Sequence, residues 1–213
     1  MDAVYEDIAE GLIEGNIENV KKFIQNAIND GAAAEKILDK GLLAGMEVIG
    51  QRFKVGDMFI PEVIHRAKIM HGAMEILEPF LGKGDGKNLG KILMATVKGD
   101  MHDIGKNLVC IMLKSSGFNV VDLGIDVDSQ QWVKSIKEHN PDIIGMSALL
   151  TTTMSQIGKT IKTLKEAGVR DQVKVMVGGA PVTEDFAKEC GADAYGSNAA
   201  AAVDKAKELM GIA

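Results

Sequence analysis

Cysteine is nearly absent from the 213-residue chain: Cys110 and Cys190 are the only two, with no Cys-x-x-Cys spacing. That excludes a disulfide framework and a thiolate zinc site, and leaves two buried free thiols. An excess of positive charge is also missing, since 24 Lys and Arg stand against 30 Asp and Glu for a net charge of -6. A nucleic-acid or anionic-membrane binder needs the opposite balance. No apolar run reaches the roughly 18 residues of a membrane span. The opening Met1-Asp2-Ala3-Val4-Tyr5-Glu6-Asp7 is acidic where a secretory signal is basic, so a cytoplasmic protein is expected. Aromatic residues are scarce at 4%, yet 46% of the chain is apolar and 25% charged. This is the composition of a folded protein with one large core or two small ones, neither disordered nor fibrous.

What is present divides at a glycine-rich stretch. Four glycines fall within Leu81–Gly90, and the hydrophobic pattern changes on either side, as expected for a linker at 83–90. Before it, Ile8 and Leu12, then Val20, Ile24 and Ala27, then Leu38, Leu42, Met46, Ile49 and Phe53 recur at helical steps. Asn16 suits the cap of a second helix, Gly31 its end, and Pro61 the first turn of a fourth. Residues 1–82 are therefore expected to form a four-helix bundle.

After the linker, short apolar runs at Ile92–Val97, Val120–Leu123, Ile143–Met146, Val173–Val177 and Ala192–Tyr195 alternate with amphipathic stretches. Continuous short runs read as strands buried on both faces, so residues 91–213 are expected to form a doubly wound α/β domain on a five-stranded parallel sheet. Ligands of such domains bind beyond the carboxyl ends of the strands.

The loop after the first strand, Lys98-Gly99-Asp100-Met101-His102-Asp103-Ile104-Gly105, concentrates polar groups. Its histidine suits a metal ligand, a general base or a phosphate acceptor, and residue chemistry alone leaves all three open. Asp100, two residues earlier, is placed to return its carboxylate to one ring nitrogen and free the other. The plain structural alternative is that Asp103 caps the next helix and His102 fills the loop. Two nucleotide motifs fail. Gly158-Lys159-Thr160 lacks the first glycine of a phosphate loop, where Thr153 stands, and the first strand-to-helix turn has no GxGxxG. His65 and His71 lie on different faces of one helix and share no metal; Trp132 is expected in packing.

Asp100-x-His102-x-x-Gly105, Ser147-x-Leu149 and Gly178-Gly179, separated by 41 and 28 residues, together resemble the cobalamin-binding signature of methionine synthase, corrinoid methyl-carrier proteins and the carbon-skeleton mutases. The resemblance implies that cobalamin binds with its own lower base displaced and His102 as axial ligand to cobalt. Asp100 would orient the imidazole, with Thr153, a serine in methionine synthase, extending the chain. Ser147, Gly178, Gly179 and Ala180 would admit the displaced tail, and Met101, Asp103, Ile104, Gly105, Leu149 and Thr151 would complete the cofactor contacts. Gly50–Val63 is similar to the segment joining the third and fourth helices of the same family, so Phe53 and Ile60 would form an apolar lid over the corrin. The implied function is a carrier that takes a methyl group on cobalt from a donor-specific methyltransferase and gives it to an acceptor methyltransferase, with a reductive activation protein in support. At this length the chain is itself no enzyme but a component of such a system. A subunit of an adenosylcobalamin mutase, a cobalamin-dependent sensor and, without cobalamin, a response-regulator-like module are the alternatives.

Overall fold

Asn16 opens a helix as its side chain demands. Its Oδ1 accepts the Asn19 N–H at 3.1 Å at the start of α2 (Ile17–Asn29), a cap that contributes about 1 kcal/mol. The α2 face carrying Val20, Ile24 and Ala27 is buried, and Gly31, at φ 79°, turns the chain away. In the computed structural model, residues 2–80 and 88–212 are described, so the linker expected at 83–90 lies outside the described residues as far as Lys87. The chain divides into two compact units after Asn88, the turn Ser115–Gly117 excepted.

The first unit contains α1 (Asp2–Glu14), α2, a long third helix and α5 (Ile60–Leu77), the last with Pro61 in its first turn. The third helix differs from expectation. It runs as α3 (Ala34–Lys36), a π-helical segment (Ile37–Leu43) and α4 (Ala44–Val55). Gly41 and Gly45 let α1 come close there: a Cβ on Gly41 would stand 3.0 Å from Ile8 Cγ2, and one on Gly45 3.1 Å from the Ala9 carbonyl oxygen. Hydrophobic spacing alone does not reveal the widened turn, because one extra residue per turn leaves Ile37, Leu38 and Leu42 buried all the same.

The second unit is the expected parallel sheet. Strands β1 (Lys91–Thr96), β2 (Asn119–Asp122), β3 (Ile143–Ser147), β4 (Lys174–Gly178) and β5 (Ala194–Gly196) lie in the order β2-β1-β3-β4-β5. Helices α6 (Ile104–Ser115), α7 (Ser129–His139), α8 (Thr151–Glu166), α9 (Glu184–Cys190) and α10 (Ala199–Leu209) connect them or follow. Consecutive residues Ile92, Leu93, Met94 and Ala95 are all buried, as a strand covered on both faces requires. Trp132 is wholly buried in this core. Register decides where the chemistry falls: Thr96 pairs with Ser147, Ser147 with Gly178, and Gly178 with Gly196. One row of residues thus marks the carboxyl edge of four strands. From β1 the chain moves to β2 on one side, and from β2 to β3 on the other, so the loops after β1 and β3 part at the switch point where a ligand can enter.

Candidate functional site

Asp100 sits at that switch point, wholly buried. Its Oδ1 accepts from the His102 backbone N–H at 3.0 Å and faces His102 Nδ1 at 2.9 Å. Its Oδ2 accepts from Leu149 N at 2.7 Å, Leu150 N at 3.3 Å and the Thr153 hydroxyl at 2.7 Å. Burial by itself would raise the pKa of this carboxyl. The Thr153 hydroxyl, the His102 and Leu149 backbone N–H groups and the His102 ring outweigh it and hold the group well below the usual carboxylate range. The Asp100–His102 contact expected from spacing and the Asp100–Thr153 contact that the resemblance implies are therefore both present. Thr153 does not cap α8; Leu150 occupies the cap position without a side-chain bond.

An ionised carboxylate only accepts hydrogen bonds, so the proton between Asp100 and His102 resides on Nδ1. In the neutral ring this leaves the lone pair on Nε2, the form in which imidazole ligates a metal. The His102 side chain is 49% exposed, in contrast to its buried partner. Large apolar side chains around it are exposed too: Met101, Ile104, Leu149 and Leu150 from the loops and helix starts after β1 and β3, and Ile125 from the loop after β2. Among the described residues no group of three or more His, Cys, Asp or Glu could hold a bare metal ion. One half-exposed imidazole on a loop that also exposes Met101 and Ile104, with Leu149 and Leu150 exposed beside the Asp100 carboxylate, suits a metal that arrives within a broad macrocycle, and in that sense the residues present fit cobalamin.

Residues that sequence reasoning passed over hold this loop in shape. Asp126, at φ 58°, accepts from Gly99 N at 2.7 Å and Lys98 Nζ at 3.1 Å, and these two bonds hold its carboxyl below the usual range. Its own N–H donates to Thr96 Oγ1 at 2.9 Å, and the Thr96 hydroxyl donates to the Asp100 carbonyl at 2.6 Å. On the helical side, the buried Lys106 ammonium pairs with Asp122 and donates to Asn107 Oδ1 at 2.8 Å, while Asn107 Nδ2 donates to Asp103 Oδ2 at 3.0 Å. The Asp103 carboxylate thus binds a side chain rather than the backbone N–H that a capping role would employ. Asp126 lies 27 residues from Gly99 and 30 from Thr96, and Asp122 lies 16 from Lys106, which is why no local motif announces these pairs.

The remaining expected residues occupy varied settings. Gly105 lies in the first turn of α6, where a Cβ would meet nothing within 4 Å. Gly178 and Gly179 are demanded by the protein itself: a Cβ on Gly179, at φ 128°, would fall 1.9 Å from the Ala148 carbonyl oxygen, and one on Gly178 2.8 Å from that of Gly196. Ser147 ends β3 half-buried, while Thr151 and Ala180 are exposed. In the helical unit Phe53 is half-buried and Ile60 exposed, with Val55 and Phe59 more exposed still. His65 Nε2 lies 3.0 Å from the Gly15 carbonyl oxygen and His71 beside Glu75, so the two share no site. Burial pushes the Cys110 thiol up to about 11 and Cys190 in the same direction, which makes both poor nucleophiles. Among the described residues no helix is long and apolar enough to cross a membrane.

Comparison with known proteins bears on the same region. Residues 90–204 match one B12 binding domain family, and residues 4–78 match a second family of that description. The chain is 43% identical over 210 residues to dimethylamine corrinoid protein 3 of Methanosarcina acetivorans, covering 99% of this chain and 98% of the relative. It is 41% identical over 205 residues to the trimethylamine corrinoid protein of Methanosarcina barkeri, covering 95% and 94%. Among solved structures, a cobalamin-binding protein from Desulfitobacterium hafniense superposes with TM-score 0.83 at 35% identity, covering 96% of this chain and 98% of that one. The methanol:cobalamin methyltransferase complex MtaBC of Methanosarcina barkeri gives TM-score 0.86 at 31% identity, covering 99% and 81%.

Proposed function

We propose, because the chain belongs to the B12-binding corrinoid proteins, that it is the methyl carrier of a multi-protein methyltransferase system, in which His102 would ligate the cobalt of bound cobalamin. Cobalamin, when bound, supplies a cobalt centre that takes up a methyl group and releases it to an acceptor. The chain's own residues do the rest. His102 offers the Nε2 lone pair, and Asp100 keeps the proton on Nδ1 and raises the basicity of the ligating nitrogen. The Thr153 hydroxyl and the Leu149 N–H anchor the carboxylate that does so. Met101, Ile104, Leu149 and Leu150 present apolar surface to the macrocycle beside the ligand, and the opening left by Gly105 admits close approach. Phe53 and Ile60 of the helical unit, with Val55 and Phe59 exposed as well, would offer further apolar contacts to the cofactor.

The observation that carries this reading is the Asp100 carboxylate, whose partners among the described residues are the His102, Leu149 and Leu150 N–H groups, the Thr153 hydroxyl and the His102 ring, and which therefore fixes the His102 tautomer. The relatives named for dimethylamine and trimethylamine, and the methanol complex, support a small methylated amine or alcohol as donor, one methyltransferase that delivers its methyl group and a second that removes it. A reductive activation protein would return oxidised cobalt to its carrier state. The test is reconstitution with hydroxocobalamin. The protein should bind one corrin with an absorption spectrum of histidine ligation, and His102→Ala should lose that spectrum with an affinity about 10–100-fold weaker. A parent protein that retains no stoichiometric corrin would overturn the proposal.

A further inference from the structure

The loop after β2 carries none of the residues that the cobalamin-binding signature singles out, yet it fixes the backbone from which Asp100 and His102 project. Asp126 is a non-glycine residue held at φ 58°, a conformation that persists only where its surroundings impose it. Its surroundings are the His102 loop. Oδ1 takes the Gly99 N–H at 2.7 Å, Oδ2 takes Lys98 Nζ at 3.1 Å, and the Asp126 N–H reaches both Thr96 Oγ1 at 2.9 Å and the Asp100 carbonyl at 3.3 Å. Thr96, buried at the end of β1, links the two by accepting from Asp126 and donating to the Asp100 carbonyl at 2.6 Å. The Asp100 N–H is taken by the Val97 carbonyl at 3.0 Å. Every backbone polar group of Asp100 is thus tied to the strand end or to Asp126, while its carboxylate is tied to His102, Leu149, Leu150 and Thr153.

We propose that Asp126, working with Thr96, is a positioning residue for His102: it sets the Asp100 peptide so that the carboxylate meets Nδ1 and leaves Nε2 as the metal ligand. The geometry assigns the work to two separable parts of Asp126. The left-handed backbone brings its N–H to Thr96 and Asp100, and the side-chain oxygen clamps Gly99. Glycine at 126 keeps the first and deletes the second, whereas asparagine tolerates the same backbone and retains an acceptor for Gly99. The inference rests on His102 as cobalt ligand, and its test reads the histidine before any corrin is added.

Nitrogen-15 spectra of the His102 ring in the cofactor-free protein report the tautomer: a protonated Nδ1 and a bare Nε2 resonate far apart, and they converge when the proton exchanges between them. The parent should show the separated pair, Asp126→Gly should show convergence, and Asp126→Asn should restore the separation. Titrated with hydroxocobalamin, Asp126→Gly should lose about tenfold in affinity and Asp126→Asn should bind like the parent. Thr96→Val, which removes the linking hydroxyl and keeps the shape of the buried site, should converge the ring signals as well and serves if the glycine variant fails to fold. Separated His102 signals in both Asp126→Gly and Thr96→Val, or in the one that folds, would overturn the assignment. Convergence in these variants while His102→Ala leaves the corrin spectrum unchanged would uphold the positioning and remove the ligand role.

Discussion

A carboxylate that accepts from His102, Leu149, Leu150 and Thr153 at once cannot be exchanged for an amide without pointing an N–H at another N–H or O–H. In Asp100→Asn the amide oxygen can serve one side of the cluster, and the NH2 must face donors on the other. A buried donor left unpaired costs about 1–3 kcal/mol, so the variant should unfold roughly 2–12 °C lower in calorimetry, and its cobalamin affinity should fall as the His102 tautomer is no longer fixed. An unchanged melting midpoint would mean that the amide finds partners the carboxylate does not use. At this scale the sequence was informative where function concentrates residues locally: Asp100 and His102 lie two apart, and Thr153 stands at a position that the resemblance singles out. Asp126 and Thr96 were not legible, because Asp126 reaches Gly99 across 27 residues of sequence and Thr96 across 30. Only the pairing of β1 and β2 brings them together.

Among the secondary-structure elements, the strands could be read from the chain as short continuous apolar runs and most helices from apolar residues that repeat at 3.6 steps. The row Thr96–Ser147–Gly178–Gly196 could not, since register is a property of neighbouring strands. Nor could the π-helical segment, which preserves the buried face that periodicity detects. Two glycines at the carboxyl edge separate fold from function. Gly179→Ala puts a Cβ 1.9 Å from the Ala148 carbonyl oxygen at a φ that L-residues avoid, and should cost roughly 4 kcal/mol or prevent folding. Gly105→Ala puts a methyl group into open space within a helix, and should stabilise the cofactor-free protein by up to about 1 kcal/mol while weakening hydroxocobalamin binding. Parent-like cobalamin affinity in Gly105→Ala would show that the corrin does not approach the start of α6.

For the whole molecule, the net charge of -6 argues against polyanionic partners and leaves room for the methyltransferases that a carrier must meet. Both compact units fall within families described as B12 binding domains, the helical one over 4–78 and the sheet over 90–204. A ligand that binds only the folded state stabilises it by about 2.7 kcal/mol at a hundredfold excess over Kd, which for a protein of this size raises the melting midpoint by roughly 5–10 °C. Hydroxocobalamin should produce that rise, and His102→Ala at the same cofactor concentration should show a markedly smaller one. Equal shifts in the two proteins would place the binding energy away from the imidazole.

The most direct test of the central claim is electron paramagnetic resonance of the reduced, one-electron cobalt form bound to protein grown with nitrogen-15 histidine and loaded with cobalamin of natural abundance. If His102 Nε2 is the axial ligand, each cobalt hyperfine line splits into a doublet, the signature of a labelled nitrogen from the protein. Triplet splitting, which comes from the unlabelled base of the cofactor's own tail, would contradict the account.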